Sequence, residues 1–176
     1  IYLTYQHLIA RENPTNATTA LSVGELSAGS VSNIIPETAI MKGTLRTYDP
    51  QVRCHMRKRI EEIAVQTGAL FNATVEFTWT GGVPSILSDE TLVKELVGYI
   101  DELGYDFRKI PDYKIFPSED FALVSEKVTS TYLLLYAKKE GNDFPHHSPF
   151  VDFDEAALPL GAAIYAQCAT QWLNHH

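Results

Sequence analysis

The chain has 176 residues and a formal net charge of −8 at pH 7, with 45 % hydrophobic and 20 % charged residues. This is the composition of a folded globular protein, and its acidic balance excludes a phosphate-tracking surface, which needs clustered Lys and Arg. No apolar run reaches the roughly 18 residues of a membrane span, and two cysteines, Cys54 and Cys168, supply neither a disulfide framework nor a cysteine metal cluster; the expectation is a cytoplasmic protein that binds neither nucleic acid nor membrane.

Tyr2, Leu3, Tyr5, Leu8 and Ile9 recur at helical spacing, and Asn13-Pro14 ends the pattern. Residues 20–27 and 37–48 read as two strands separated by a turn at Ala28-Gly29-Ser30. In the second, Ala39, Met41 and Leu45 share one face while Lys42, Thr44 and Arg46 share the other. Asp49-Pro50 opens a helix as N-cap and first residue. Its apolar stripe is Val52, Met56, Ile60, Ile63 and Ala64, and Gly68 is its expected stop. Ala73, Val75, Phe77 and Trp79 then alternate with polar residues, as in an antiparallel strand with one wet face. The first block thus reads as an antiparallel sheet with both helices on one face.

After Gly81-Gly82 and Pro84 the texture changes. A helix is expected from Ser88 to Gly104, a short strand near Lys114-Ile115-Phe116, and a short helix after Glu119. Thr131 to Ala137 is a continuous apolar run, as in a strand buried on both faces. A last helix carries Leu160, Ile164, Cys168 and Trp172. The domain boundary falls at Gly82, giving domains 1–82 and 83–176. A doubly covered sheet usually has about five or six strands, and the second block supplies two. The chain also opens at Ile1, without methionine and inside a helical pattern. Both features lead to the expectation that it is part of something longer.

Three stretches carry candidate chemistry. Phe144-Pro145-His146-His147-Ser148-Pro149 places two histidines in a loop after the apolar run, where α/β proteins put their sites. One metal would take only one of them, and the competing reading is a pair of surface-loop histidines. Ser118 and Glu119 precede Asp120 and Phe121, where helix capping and first-turn acids by themselves explain the residues. Arg46, on a polar strand face, can hold a carboxylate in a bidentate pair or stand as a solvated arginine, and Asn33 precedes a strand as a turn residue would. His7, His55, Cys54 and Cys168 read as structural, the triplets at Asn16 and Asn72 as incidental, and His175-His176 as native or a tag remnant.

The colinear order of Val23-Gly24-Glu25-Leu26-Ser27-Ala28-Gly29, Ser32-Asn33-Ile34-Ile35-Pro36, Gly43-Thr44-Leu45-Arg46-Thr47-Tyr48-Asp49, Ser118-Glu119-Asp120-Phe121, His147-Ser148-Pro149, Phe153-Asp154-Glu155 and Leu158-Pro159-Leu160-Gly161-Ala162-Ala163 resembles the metal-dependent amidohydrolases of the aminoacylase/carboxypeptidase family. The branch is that of N-acyl-amino-acid amidohydrolases, with hippurate and indole-acetyl-amino-acid hydrolases. The resemblance implies an α/β protein: a ferredoxin-like α+β lid that makes a homodimer, followed by the C-terminal part of a three-layer α/β/α catalytic domain. It implies amide hydrolysis of N-acyl-amino acids or peptides with two divalent ions (zinc, manganese, cobalt or nickel) and a glutamate general base. His147 is then the metal ligand from this end of the chain. Asn33 and Arg46 contact substrate, Arg46 through its carboxylate, and Ser118 and Glu119 shape the pocket. The other ligands, the general base and the lid histidine would lie upstream of Ile1, so the 176 residues alone are expected to hydrolyse nothing and to bind metal weakly. The alternative is a non-catalytic dimerisation module of related fold.

Overall fold

A computed structural model describes residues 1–110, 113–114 and 117–176. The strand expected at Lys114-Ile115-Phe116 falls largely outside the described residues. The described chain divides into two compact units, one of residues 1–85 with 117–120, the other of residues 86–110, 113–114 and 121–176.

In the first unit, helix α1 (Tyr2–Arg11) and helix α2 (Pro50–Leu70) cover one face of an antiparallel hairpin, β1 (Thr19–Ala28) and β2 (Ala39–Thr47). Asp49 caps α2, its Oδ1 accepting from the N–H of Gln51 at 2.7 Å and of Val52 at 3.1 Å, with Pro50 in the first turn. The periodic residues do what their spacing implies. Tyr5, Leu8, Met56, Ile60, Ile63 and Ala64 form the buried cluster, with Leu21, Val23, Met41 and Leu45 of the hairpin packed against it. A Leu, Ile or Met side chain contributes about 1.5–3 kcal/mol when fully buried.

Two local corrections have physical causes. Helix α2 runs past Gly68, and Asn72 takes the left-handed conformation at φ 55° that ends it. Gly68 is needed for close approach instead, since a Cβ there would lie 2.5 Å from Val75 Cγ2. The hairpin also carries a bulge at Gly24: Val23 pairs with Gly43 and Glu25 with Lys42. The extra residue resets the alternation, so that Glu25 stands beside Lys42, with Oε2 and Nζ 2.9 Å apart. Gly43 lies across from the bulge, where a Cβ would stand 2.5 Å from the Ser22 carbonyl oxygen.

The strand expected over residues 73–80 keeps its alternation but not its ladder. Val75, Phe77 and Trp79 are half-buried against the core and their neighbours exposed, while the segment forms no sheet pairing among the described residues. Alternation decides which side chains face inward; a ladder also needs a neighbouring backbone.

In the second unit, α3 (Glu90–Asp101) packs on α5 (Ala157–His175), with the short α4 (Phe121–Ser125) between them in sequence. Asp89 rather than Ser88 caps α3, its Oδ1 accepting from Leu92 N–H at 2.8 Å, and Gly104 follows the helix at φ 74°. Tyr99, Ile100, Ala122, Ala157 and Cys168 are buried. The run Thr131–Ala137 departs from its expectation among the described residues: it joins no ladder there, and Leu134 and Tyr136 are 56 % and 80 % exposed. Its hydrophobicity indicates burial, but burial requires strands on either side, and the described residues hold a two-stranded sheet. No helix among the described residues is long and apolar enough to cross a membrane.

Candidate metal-ligand loop and substrate-contact residues

His147 sits at the tip of a loop that the chain closes on itself. A bridge between Lys138 and Phe153, with Asp154 N–H donating to Ala137 O at 3.0 Å, brings the two limbs together. Lys138 pairs with Asp143 and Lys139 with Asp152 at this neck. These contacts hold both carboxyls below and both ammonium groups above their ordinary values, chiefly through the hydrogen bond within each pair. At the far end Ser148 N–H donates to Pro145 O at 3.1 Å, making a turn with His147 in its third position at φ 68°.

A left-handed histidine costs about 1–3 kcal/mol, and such strain persists where surrounding contacts over-determine it. The two histidines therefore differ. Both are exposed, but His146 makes an edge-to-face ring contact with Phe153, 5.8 Å between centroids, whereas His147 holds the strained position. Spacing and composition left the pair open and only the family resemblance singled out His147, because a positive φ on a non-glycine residue has no compositional signal here.

Asn33 is exposed in the turn between β1 and β2, beside Val31, Ile34 and Ile35, which are also exposed. Arg46 is on the face of β2 turned away from Met41 and Leu45, opposite Ala20 in the ladder. Seven residues separate Arg46 from Ala39, where the turn begins, or about 23 Å of strand. The two candidate substrate contacts thus belong to opposite ends of one hairpin. Ser118 is exposed and Glu119 half-buried, and the short helix begins after Asp120, so Ser118 is not at its capping position.

Among the described residues no three His, Cys, Asp or Glu side chains converge in a way that could hold a metal ion. A zinc centre needs three or four ligands, so the described residues do not by themselves fit one, and His147 stands as a single donor. Cys168, His175, His176 and Tyr99 make packing and hydrogen-bond contacts. Burial pushes the Cys168 thiol up, away from reactivity, and its Sγ lies 3.9 Å from Leu96 O. His175 stacks on Tyr99 and His176 on Trp172, at 5.6 and 4.7 Å. Tyr99 donates to Glu95 Oε1 at 2.5 Å, and this bond holds its hydroxyl up at about 12.

Residues 6–171 match the peptidase family M20/M25/M40. The chain belongs to this family. It is 28 % identical over 179 residues to IAA-amino acid hydrolase ILR1-like 2 of Arabidopsis thaliana, covering 99 % of this chain and 40 % of that protein. With an N-acetylcysteine deacetylase of Bacillus subtilis it shares 27 % identity, over 93 % of this chain and 42 % of the relative. Among solved structures, a dinuclear metal-binding M20 peptidase of Bacillus subtilis superposes with a TM-score of 0.80 at 26 % identity, covering 99 % of this chain and 46 % of that one. A putative aminohydrolase of methicillin-resistant Staphylococcus aureus shares the fold, with a TM-score of 0.88 at 19 % identity over 98 % of this chain and 44 % of that one. The chain spans about two fifths of the length of the curated relatives it matches. The fold is therefore a mixed α/β one of the M20 type, and the family is one of hydrolases.

Proposed function

We propose that this chain is the lid and the C-terminal catalytic portion of a cytoplasmic metal-dependent amidohydrolase that cleaves N-acyl-amino acids or peptides. Residues 1–82 are the lid, and 83–176 belong to a three-layer catalytic domain. The observation that carries this reading is the family match across residues 6–171. The relatives named as an IAA-amino acid hydrolase and an N-acetylcysteine deacetylase support the substrate class.

His147 is the metal ligand contributed by this portion, and the rest of a two-metal centre comes from outside the 176 residues. Bound zinc, manganese, cobalt or nickel would supply Lewis acidity and an activated water. Arg46 binds the substrate carboxylate, which its planar fork suits, while Asn33 contacts the substrate and Ser118 and Glu119 shape the pocket.

An N-acyl-amino acid is about two residues long, roughly 7 Å extended. Arg46 and the turn bearing Asn33 lie at opposite ends of one hairpin, which supports a homodimer in which the turn of one lid serves its partner's site. The backbone of residues 73–80, which joins no ladder among the described residues, offers an edge for such pairing.

The test is hydrolysis of N-acyl-amino acids with each of the four metals, before and after chelation. In the longer protein carrying this chain, turnover is expected to be chelator-sensitive and to be lost in His147→Ala. The 176-residue chain is expected to be inactive, and turnover at an enzymic rate would overturn the reading. Dimeric chain without metal or hydrolysis in the longer protein would favour a non-catalytic dimerisation module.

A further inference from the structure

We propose that Asn142 is a positioning residue for His147, an inference that rests on the reading of His147 as the functional side chain of its loop. The residue lies five positions before His147, and its side chain touches both limbs of the loop. Its Nδ2 donates to Phe150 O at 3.0 Å on the descending limb. Its Oδ1 accepts from Phe144 N–H at 3.3 Å on the ascending limb. The same two limbs meet again where the rings of Phe144 and Phe150 pack with centroids 5.4 Å apart. Between these ties lies the Pro145–Ser148 turn.

The ion pairs at the neck cannot fix the tip. Lys138, Lys139 and Asp152 are about half exposed and Asp143 more so, and exposed pairs add little rigidity. Held only at its neck, the tip would relax to ordinary negative φ, because a left-handed histidine is disfavoured. A primary amide suits the tie because it is donor and acceptor at once, at a fixed separation. A carboxylate in its place would keep the bond from Phe144 N–H and face Phe150 O without a proton. Asn142 thereby keeps the limbs at the spacing that presents His147 outward before any ligand arrives.

The experiment uses the 176-residue chain and its Asn142→Ala and Asn142→Asp variants. Backbone NMR reads the His147 amide–Hα coupling and Cα shift, which report φ, and the solvent exchange rate of the Ser148 amide. In Asn142→Ala the His147 signals are expected to leave the left-handed values, and Ser148 exchange to rise about tenfold, the ratio for loss of one net hydrogen bond. Asn142→Asp should give a smaller change at the same residues. Amides of α3 and α5 should be unaltered in both. Unchanged His147 signals in both variants, or changes spread evenly through α3 and α5, would overturn the proposal. These signals report loop geometry whether or not His147 binds metal. The ligand reading fails separately, if His147→Ala in the longer protein leaves metal content and hydrolysis intact.

Discussion

Gly68 and Val75 touch so closely that a single Cβ on the glycine would lie 2.5 Å from Val75 Cγ2 and 3.2 Å from the carbonyl oxygen of Ala73. The last turn of α2 and the extended segment after it are packed backbone against side chain. Glycine inside a helix ordinarily gives up about 1 kcal/mol relative to alanine, so Gly68→Ala would stabilise an open site. Here it is expected to destabilise by about 1–3 kcal/mol through overpacking. Adding Val75→Ala should return part of that loss in a double-mutant cycle followed by urea denaturation. At Gly43→Ala the obstacle is the Ser22 carbonyl oxygen, so side-chain truncation should bring no relief.

Tyr5 donates its hydroxyl to Ile60 O at 3.1 Å inside the core that joins α1 to α2. Tyr5→Phe keeps the ring and deletes the donor. A cost of about 1 kcal/mol is expected, read as a lower denaturation midpoint with an unchanged m-value.

Arg59 bridges α1 and α2, its Nε and Nη2 donating to Glu12 at 2.6 and 2.9 Å and its Nη1 to Glu62 at 2.6 Å. The hydrogen bonds from Arg59 hold both carboxyls below the usual 4.5. A carboxyl with a depressed folded-state pKa contributes stability that is present above its unfolded value and lost as pH falls through the folded one. Stability should therefore decline as pH drops below about 4.5. Glu12→Gln should flatten that decline without removing it, because Glu62, Asp143 and Asp152 are depressed too. An unchanged acid slope in Glu12→Gln would count against the ion-pair assignment.

At His147 the usual order of substitutions should invert. Its φ of 68° suits glycine and strains alanine. His147→Gly is expected to be more stable than His147→Ala by about 1 kcal/mol, measured by thermal or urea denaturation of the two variants. Equal stability would mean that the turn relaxes once the imidazole is gone.

Much of the architecture is legible without coordinates. The stripe from Val52 to Ala64, the Asp49-Pro50 start and the alternation around Met41 and Leu45 each combine a local propensity with a period, and both survive tertiary folding. The stop at Gly68 was misplaced because a glycine kept for close packing looks the same in sequence as a glycine that ends a helix. The bulge at Gly24 was invisible for a similar reason: one extra residue leaves the composition of a strand intact while reversing which face follows it. Of the candidate site, sequence singled out the histidine pair and the colinear motifs. Asn142, whose Gly-Asn-Asp context signals only a turn, was missed, because its bond to Phe150 O depends on limbs that meet through the Lys138–Phe153 bridge.

Periodicity and colinear motifs, which are properties of the chain itself, determined the helices, the hairpin and the resemblance that the match over residues 6–171 bears out. What faces what was decided only by the tertiary structure. Thr131–Ala137 has the composition of a doubly buried strand and lies largely exposed, because burial is a property of neighbours rather than of the segment. His146 and His147 are chemically identical, and the fold alone gives one a packing partner and the other a strained, outward position. Hydrophobicity is encoded residue by residue, whereas enclosure and strain arise from contacts between residues far apart in the chain.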